Sequence, residues 1–326
     1  MKQARARAHT NFALVKYWGK RGTTLNLPAV GSISVTLAGL STETSVTFDP
    51  ALDEDSLELN GTKADDDDTL RVSRFLDLVR GKAKVADHAR VVSKNDFPTG
   101  AGLASSASGF AALALAAAAA AGLEANPTEL SELARRGSGS AARSIFGGFV
   151  ELARGQRDDG SDCVARELAP STHWPLKVLV AVVSDAKKET GSTSGMDASR
   201  TTSPYYAAWV DTHPHDLAAL RSAIADKDFA LLARVTERSC MKMHAVMLAT
   251  DPALVYWRGA TVDCVHAVRE LQKKGVPATY TIDAGPQVKV LTTAEHARAV
   301  ETSIAAVPGV LRVVASDLGP AAHLLG

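Results

Sequence analysis

The chain has 326 residues, of which 46% are hydrophobic and 22% are charged, a composition typical of a globular protein with a sizeable core. Its 36 basic and 36 acidic residues balance, so it offers no general electrostatic attraction for nucleic acid or an anionic membrane. Three cysteines without a CxxC pair, Cys163, Cys240 and Cys264, disfavour disulfide frameworks and cysteine zinc sites and favour a reducing, cytoplasmic setting.

The first predicted elements are strands. Alternating apolar and hydroxyl-bearing residues predict half-buried strands at 33–37 and 43–48. The acidic run at 64–68 predicts a solvated loop or the start of a helix. No charged residue occurs between 97 and 123, but the glycines, serines and alanines of this stretch argue against a membrane span. No secretory signal is recognisable at the N-terminus.

Helices dominate the predicted second half. Asn126 and Pro127 predict an N-cap and first helical residue, and Gly137 predicts the end of that helix. The other predicted elements are a buried strand at 178–183, helices at 215–225, 229–248 and 262–274, and short strands near 278–282 and 310–315.

The order of these elements indicates an α+β protein with two lobes. No repeat of 20–50 residues is present, which excludes solenoids and propellers. Prolines and a tryptophan interrupt the pattern between Ser171 and Lys177. The sequence therefore predicts two domains, residues 1–172 and 173–326.

A glycine- and serine-rich turn at 98–109 runs directly into an alanine-rich helix. Glycines allow close backbone approach to a ligand, and the N-terminus of a helix attracts anions. Ser105 and Ser106 add hydroxyl groups suited to phosphate oxygens or to magnesium. The turn lacks the Walker A and GxGxxG patterns. Its local chemistry favours a phosphate site, and a turn that caps a buried helix is the alternative.

Five segments together resemble the mevalonate diphosphate decarboxylase family of the GHMP kinase superfamily. One is the turn PTGAGLASSA at 98–107. The others are KYWGK at 16–20 with LNLP and SISVTL after it, SGSAARS at 138–144 with FGG, the lysine pair 187–188 with ST and GM after it, and DAGP at 283–286. They follow the family's order over roughly residues 5–290.

The resemblance implies a two-lobed GHMP-kinase-like fold. Its N-terminal lobe would be mixed β/α, its C-terminal lobe ferredoxin-like α/β, and its active site would lie in the cleft between them. The implied reaction is ATP- and Mg²⁺-dependent phosphorylation of the 3-hydroxyl of (R)-5-diphosphomevalonate. Loss of the 3-phosphate with carbon dioxide then gives isopentenyl diphosphate. The family also suggests a homodimer.

By the same resemblance, Asp283 orients the 3-hydroxyl and accepts its proton, with Lys16 as its electrostatic partner. Arg143 would bind the carboxylate that departs, and Ser192 would lie near the reacting centre. A predicted mobile loop at 189–195 would carry Ser192 and close over the substrates. The residues implied for substrate binding are Tyr17, Trp18, Gly19, Lys20, Arg71, Ser138, Gly139, Ser140, Ala141, Ala142, Arg143 and Thr193. Those implied for MgATP are Pro98, Gly100, Ala101, Gly102, Leu103, Ala104, Ser105, Ser106, Lys187 and Lys188, with Ser106 as the magnesium ligand.

Other interpretations remain open at this stage. Taken alone, Lys20 could be a surface lysine, Arg143 a structural ion-pair residue and Asp283 a turn cap. A decarboxylase acting on mevalonate 5-phosphate or a 3-phosphate, a small-molecule kinase of the superfamily, and a non-catalytic binding protein are the competing functions. The histidines show no metal-binding spacing, so magnesium would arrive with ATP.

Overall fold

The computed structural model describes residues 2–97, 105–186 and 189–326. The strands within these residues are β1 Lys2–Val15, β2 Lys20–Gly22, β3 Leu27–Pro28, β4 Ser32–Asp49, β5 Ser56–Leu59, β6 Thr62–Lys63, β7 His88–Asn95, β8 Phe149–Leu152, β9 Ala165–Ala169, β10 Leu176–Val182, β11 Ala278–Ile282, β12 Val288–Thr293, β13 Arg312–Asp317 and β14 His323–Leu325. The helices are α1 Asp66–Ala83, α2 Ser105–Ala120, α3 Pro127–Gly137, a 3₁₀ helix Gly139–Ile145, α4 Ser192–Thr202, α5 Tyr206–Asp226, α6 Phe229–Leu248, α7 Gly259–Lys273 and α8 Ala297–Ala305.

The larger sheet is built on β1 and β4, which pair antiparallel along most of their length. Its strand order is β14-β1-β4-β7-β5-β6, with β8 and β9 added beside the first residues of β4. The alanine-rich helix α2 packs across β1 and β4. Small side chains let this helix lie close to the sheet, so the uncharged stretch is a core helix. None of the helices in the described part of the chain has the length and apolarity that a membrane span requires.

The smaller sheet has the antiparallel order β11-β12-β10-β13. In chain order its elements run β10, helices, β11, β12, α8 and β13, which is the ferredoxin-like arrangement. The predicted C-terminal lobe is therefore confirmed. A shared core of Phe12, Leu14, Val178, Leu220 and Leu232 joins β1 to the smaller sheet and its helices.

Helix starts follow their sequence signals. The Asn126 side chain accepts the backbone N–H groups of Thr128 and Glu129, and the Glu129 carboxylate accepts the N–H of Asn126, which completes a capping box on α3. The Asp65 side chain caps α1 by accepting the backbone N–H of Asp68, so the acidic run is a helix start and not only a solvated loop.

Three predicted elements differ from the structure. The two early strands are one long strand, β4, because it continues through Gly39, whose N–H is donated to Ser316 Oγ. Helix α5 begins at Tyr206 and not at 215, since it continues through Pro214. The predicted loop 189–195 is wrong beyond Gly191: α4 begins at Ser192 and buries Met196 against the core.

The C-terminal residues return to the larger sheet. β14 pairs with residues 5–7 of β1 at the sheet edge. The last strand of the predicted second domain thus completes the sheet of the first, and the division at residue 172 stays a prediction.

Candidate active site

A cavity of about 770 Å³ opens between the end of β1, the 3₁₀ helix, the start of α4 and the end of β11. The predicted site residues that line it are Tyr17, Trp18, Lys20, Arg71, Ser105, Ser106, Ser138, Gly139, Ser140, Arg143, Ser192, Thr193 and Asp283. Segments far apart in sequence therefore meet at one cavity, as the motifs predict.

Asp283 follows β11 and forms the acidic part of the cavity floor. Its Oδ1 lies 2.6 Å from Lys16 Nζ, which confirms the predicted pairing with Lys16. Its Oδ2 lies 3.2 Å from Lys289 Nζ, a partner that the sequence did not suggest. The Lys16 and Lys289 side chains are 1% and 4% exposed, whereas 28% of the Asp283 side chain faces the cavity.

The two ammonium groups determine the protonation state of Asp283. Burial by itself would raise the pKa of this carboxyl, but Lys16 and Lys289 outweigh burial and hold the pKa well below its usual range. The carboxylate is thus ionised at neutral pH. It is available to accept a hydrogen bond from a ligand in the cavity.

Helix α6 supports the backbone on which Asp283 stands. Cys240 Sγ accepts the N–H of Ile282 at 3.2 Å, and His244 Nε2 lies 3.2 Å from the Ile282 carbonyl oxygen. Burial, with the nearby charge of Lys16, lowers the pKa of His244 to about 3, so this imidazole is neutral. These contacts fix the residue that precedes Asp283.

Arg143 is buried in the cavity wall and is held in one orientation by neutral groups. Its Nε and Nη2 donate to Asn11 Oδ1 at 3.1 and 2.9 Å, and its Nη1 donates to Ser32 Oγ at 2.7 Å. Burial lowers the pKa of its guanidinium to about 10. A buried cation whose hydrogen-bond partners are neutral can bind an anion that enters the cavity.

Tyr17 lies against the turn before Arg143. An added Cβ on Gly139 would stand 2.8 Å from Tyr17 Cζ and closer still to its hydroxyl, so only glycine fits at 139. The Tyr17 hydroxyl is buried without a hydrogen-bond partner among the described residues, and burial raises its pKa. It is therefore a neutral donor at the cavity edge.

Two further cations stand at the outer part of the cavity. Lys20 Nζ lies 2.7 Å from Asn26 Oδ1 and 3.3 Å from Thr193 Oγ1. Arg71 donates to the carbonyl of Gly137 at 3.0 Å and its guanidinium lies 4.5 Å from the centre of the Phe110 ring. Burial lowers the pKa of both groups, and the nearby charge of Arg71 lowers the pKa of Lys20 further.

Several predicted substrate residues do not line the cavity. Gly19 has a φ of +94°, and a Cβ there would meet the Tyr206 ring, so glycine is required for the turn. The methyl groups of Ala141 and Ala142 pack into the hydrophobic cores, and the Ala141 N–H is donated to Ser138. Trp18 is a buried core residue that also forms part of the cavity wall.

Ser105 and Ser106 lie at the start of α2, and both line the main cavity and a second cavity of about 170 Å³ beside it. Ser93, Asn95 and Leu57 are among the residues that line this second cavity. The other predicted nucleotide residues (Pro98, Gly100, Ala101, Gly102, Leu103, Ala104, Lys187 and Lys188) lie outside the described residues. The described part of the chain contains no cluster of three metal-ligating side chains.

Sequence reasoning missed two residues of this site. Asn11 links Arg143 to Ser144 and to the backbone of Ser140, but a single asparagine in the mixed polar and apolar strand β1 has no periodic signal. Lys289 did have one signal, because it is the only charged residue in the strand VKVLTT of β12.

Comparisons with known proteins all point to one family. A family model described as "Diphosphomevalonate decarboxylase-like N-terminal domain" matches residues 8–165, and one described as "Mevalonate 5-diphosphate decarboxylase C-terminal domain" matches residues 178–312. The diphosphomevalonate decarboxylase of Homo sapiens is 40% identical over 304 residues, which cover 87% of this chain and 75% of the human protein.

Two solved structures are similar over nearly the whole chain. The mevalonate diphosphate decarboxylase of Staphylococcus aureus is 38% identical, covers 100% of this chain and 98% of its own, and has a TM-score of 0.94. A structure described as MDDEF in complex with MVAPP, AMPPCP and magnesium is 40% identical, covers 99% of both chains and has a TM-score of 0.92.

Proposed function

Since the chain belongs to the diphosphomevalonate decarboxylase family, we propose that it uses ATP to convert (R)-5-diphosphomevalonate to isopentenyl diphosphate, ADP, phosphate and carbon dioxide. The observation that carries the proposal is the cavity floor. There an ionised carboxylate, Asp283, stands between two buried lysines while the guanidinium of Arg143 faces the same space.

Asp283 would act on the 3-hydroxyl of the substrate. The ionised carboxylate accepts a hydrogen bond from the hydroxyl and so aims its oxygen at the phosphoryl group of ATP. The hydroxyl proton becomes strongly acidic as the new oxygen–phosphorus bond forms, and it then moves to the carboxylate even though the carboxylate is a weak base. Lys16 stabilises the charge around this transfer.

Arg143 would hold the substrate carboxylate by hydrogen bonds from its guanidinium N–H groups, two of which can donate in parallel to the two carboxylate oxygens. Its present partners, Asn11 and Ser32, fix the guanidinium before any ligand enters. When the 3-phosphate leaves, the carbon–carbon bond to the carboxylate breaks and its electrons form the new double bond. A carboxylate fixed on Arg143 keeps that bond aligned with the leaving phosphate.

The diphosphate end would bind at the outer part of the cavity. Lys20 supplies a charge, Tyr17 a neutral hydroxyl donor, and the Ser138–Ser140 turn offers hydroxyl groups. Thr193 at the start of α4 lies within hydrogen-bond distance of Lys20, so a ligand that binds Lys20 also contacts α4. Ser192 would face the reacting centre.

MgATP fits the residues at the start of α2. The first two residues of this helix are serines, and its first turn carries no acidic residue, which suits a phosphate group. The adjoining cavity, lined mainly by apolar side chains together with Asp68, Arg71 and Asn95, would accept part of the nucleoside. Bound MgATP supplies the phosphoryl group; Ser106 would hold the magnesium, and Lys187 or Lys188 would contact the phosphates.

The competing functions predict different binding at the same cavity. A decarboxylase for mevalonate 5-phosphate needs fewer donors than Tyr17, Lys20, Arg71 and Thr193 supply together, so this set supports a diphosphate.

We also propose a cytoplasmic homodimer. Three free, buried cysteines support a reducing compartment, and sedimentation of the purified protein would test the dimer.

The proposed activity is tested by measuring carbon dioxide release and ADP formation together. Mevalonate, its 5-phosphate and its 5-diphosphate would each be supplied with MgATP. We expect equal amounts of carbon dioxide and ADP, and only with the diphosphate. ADP without carbon dioxide would indicate a small-molecule kinase, and turnover of the 5-phosphate would indicate the other decarboxylase.

A further inference from the structure

Lys289 occupies an unusual position in the smaller sheet. It is the second residue of β12, flanked by Val288 and Val290, which pack into a hydrophobic core. Its side chain is 4% exposed, and its Nζ lies 3.2 Å from Asp283 Oδ2 and 3.5 Å from the Gln287 carbonyl oxygen. Burying an ammonium group in a core strand is costly unless a counter-charge is present.

The contact between Lys289 and Asp283 Oδ2 restricts the orientation of the Asp283 carboxylate. Lys16 contacts Oδ1 and Lys289 contacts Oδ2, so the carboxylate has a different cation at each oxygen. With Lys16 alone, the carboxylate could rotate about its Cβ–Cγ bond and present either oxygen to the cavity. With both lysines, its plane is fixed relative to a ligand.

Charged and titratable groups from four elements surround this carboxylate. Lys16 approaches from the end of β1, Lys289 from β12 and Arg143 from the 3₁₀ helix, and all three are cations. Cys240 and His244 face it from α6; burial raises the pKa of the thiol and lowers that of the imidazole, so neither carries charge at neutral pH. Lys289 is therefore one of the charges that set the acidity of Asp283.

We propose that Lys289 is a positioning residue for the phosphoryl transfer: it fixes the second oxygen of Asp283 and keeps that carboxylate ionised and aimed at the substrate hydroxyl. This inference rests on the proposed function and adds to it a residue outside the predicted site. Lys289 does not line the cavity, so it acts through Asp283 and not on the substrate.

The test is the pH profile of kcat/KM for Lys289→Met, with Lys289→Arg as the conservative variant. Removing one of the three nearby cations raises the pKa of Asp283, so the acidic limb of the profile should move to higher pH by at least about one unit. The loss should be about tenfold or more at pH values below the pKa of Asp283 and small near pH 8. The arginine variant should resemble the unmodified chain.

Lys177→Met is the matched control, because Lys177 lies on the neighbouring strand β10 in an exposed pair with Asp317. Its profile should not move. An unchanged limb in Lys289→Met, or a loss equal at every pH, would overturn the proposal. If the methionine variant does not fold, Lys289→Gln, which keeps a hydrogen-bond donor without the charge, gives the same comparison.

A second readout separates this inference from the proposed function. The carboxyl carbon of Asp283 can be titrated by ¹³C NMR in labelled protein without substrate and assigned with Asp283→Asn. A higher carboxyl pKa in Lys289→Met supports the positioning role even if the chain does not turn over diphosphomevalonate. An identical titration in both proteins refutes it even if the chain is active.

Discussion

Arg143 offers a test in which stability and activity should separate. Replacing it with methionine removes a buried charge and three hydrogen bonds, but it leaves an unbranched apolar side chain in place of the arginine stem. We expect turnover to fall by orders of magnitude, because the group assigned to the substrate carboxylate is lost. We expect the stability of the ligand-free protein to change little.

The expected stability follows from the structure. The pKa of the Arg143 guanidinium falls from its ordinary 12.5 to about 10, so at pH 7, below both values, the charged form costs the folded state about 3 kcal/mol. Removing the charge recovers that cost. Leaving Asn11 Oδ1 and Ser32 Oγ without a donor costs about 1–3 kcal/mol each. The two effects nearly cancel.

Arg80 is the matched control because it is a largely buried arginine, with 11% of its side chain exposed, and it has a carboxylate partner. It donates two hydrogen bonds of 2.9 Å to Asp55, whose side chain is 3% exposed. Arg80→Met leaves this buried carboxylate without its cation and should cost about 3–5 kcal/mol. At about 2 °C per kcal/mol, its Tm should fall by about 6–10 °C, against a few degrees for Arg143→Met.

The assay is thermal unfolding of both variants with and without diphosphomevalonate, together with turnover. Substrate should raise the Tm of the unmodified chain and of Arg80→Met, but much less that of Arg143→Met. If Arg143→Met unfolds as early as Arg80→Met and still gains stability from the substrate, Arg143 is a structural residue and its assigned role is wrong.

Two further predictions concern the diphosphate end of the cavity. Gly139→Ala should raise the KM for diphosphomevalonate about tenfold or more, because the new methyl group displaces Tyr17. Gly81→Ala in α1 is the control: a Cβ added there has no neighbouring atom within 4 Å, so the kinetics should not change. Equal kinetics for the two alanine variants would show that the Tyr17 position is unimportant. Lys20→Met should raise the KM for diphosphomevalonate about tenfold or more, but the KM for ATP less than about twofold. Steady-state kinetics measure both constants, and equal changes in the two would contradict the assignment of Lys20.

The sequence predicted those parts of the fold that local signals determine. The capping box of α3, the apolar strand β10 and the limits of α6 are each coded within a few residues, and the structure confirms them. The continuous β4 could not be predicted, because Gly39 interrupts the alternation and is held by Ser316 from the far end of the chain. Helix α5 extends well before the predicted start at 215, because it continues through Pro214, a residue type more typical of a helix start.

In the site, too, residues that act through distant parts of the chain could not be predicted from local sequence signals. Lys16 and Asp283 were paired through their motifs, and the structure places them 2.6 Å apart. Asn11 and Lys289 were missed, because each acts on a partner far away in sequence and lies in a strand whose pattern only indicates burial. Motif resemblance finds groups expected to touch the substrate more readily than groups that hold them.

The most direct test of the central claim is rapid-quench analysis of Asp283→Asn with γ-labelled ATP. Asparagine keeps the size of the side chain but removes the charge that accepts the hydroxyl proton. Turnover should fall at least about 10³-fold with little change in either KM, and no 3-phosphorylated substrate should accumulate. If the variant forms the 3-phosphate at a near-normal rate and stalls only before carbon dioxide loss, Asp283 does not act in phosphoryl transfer and the proposed mechanism is wrong.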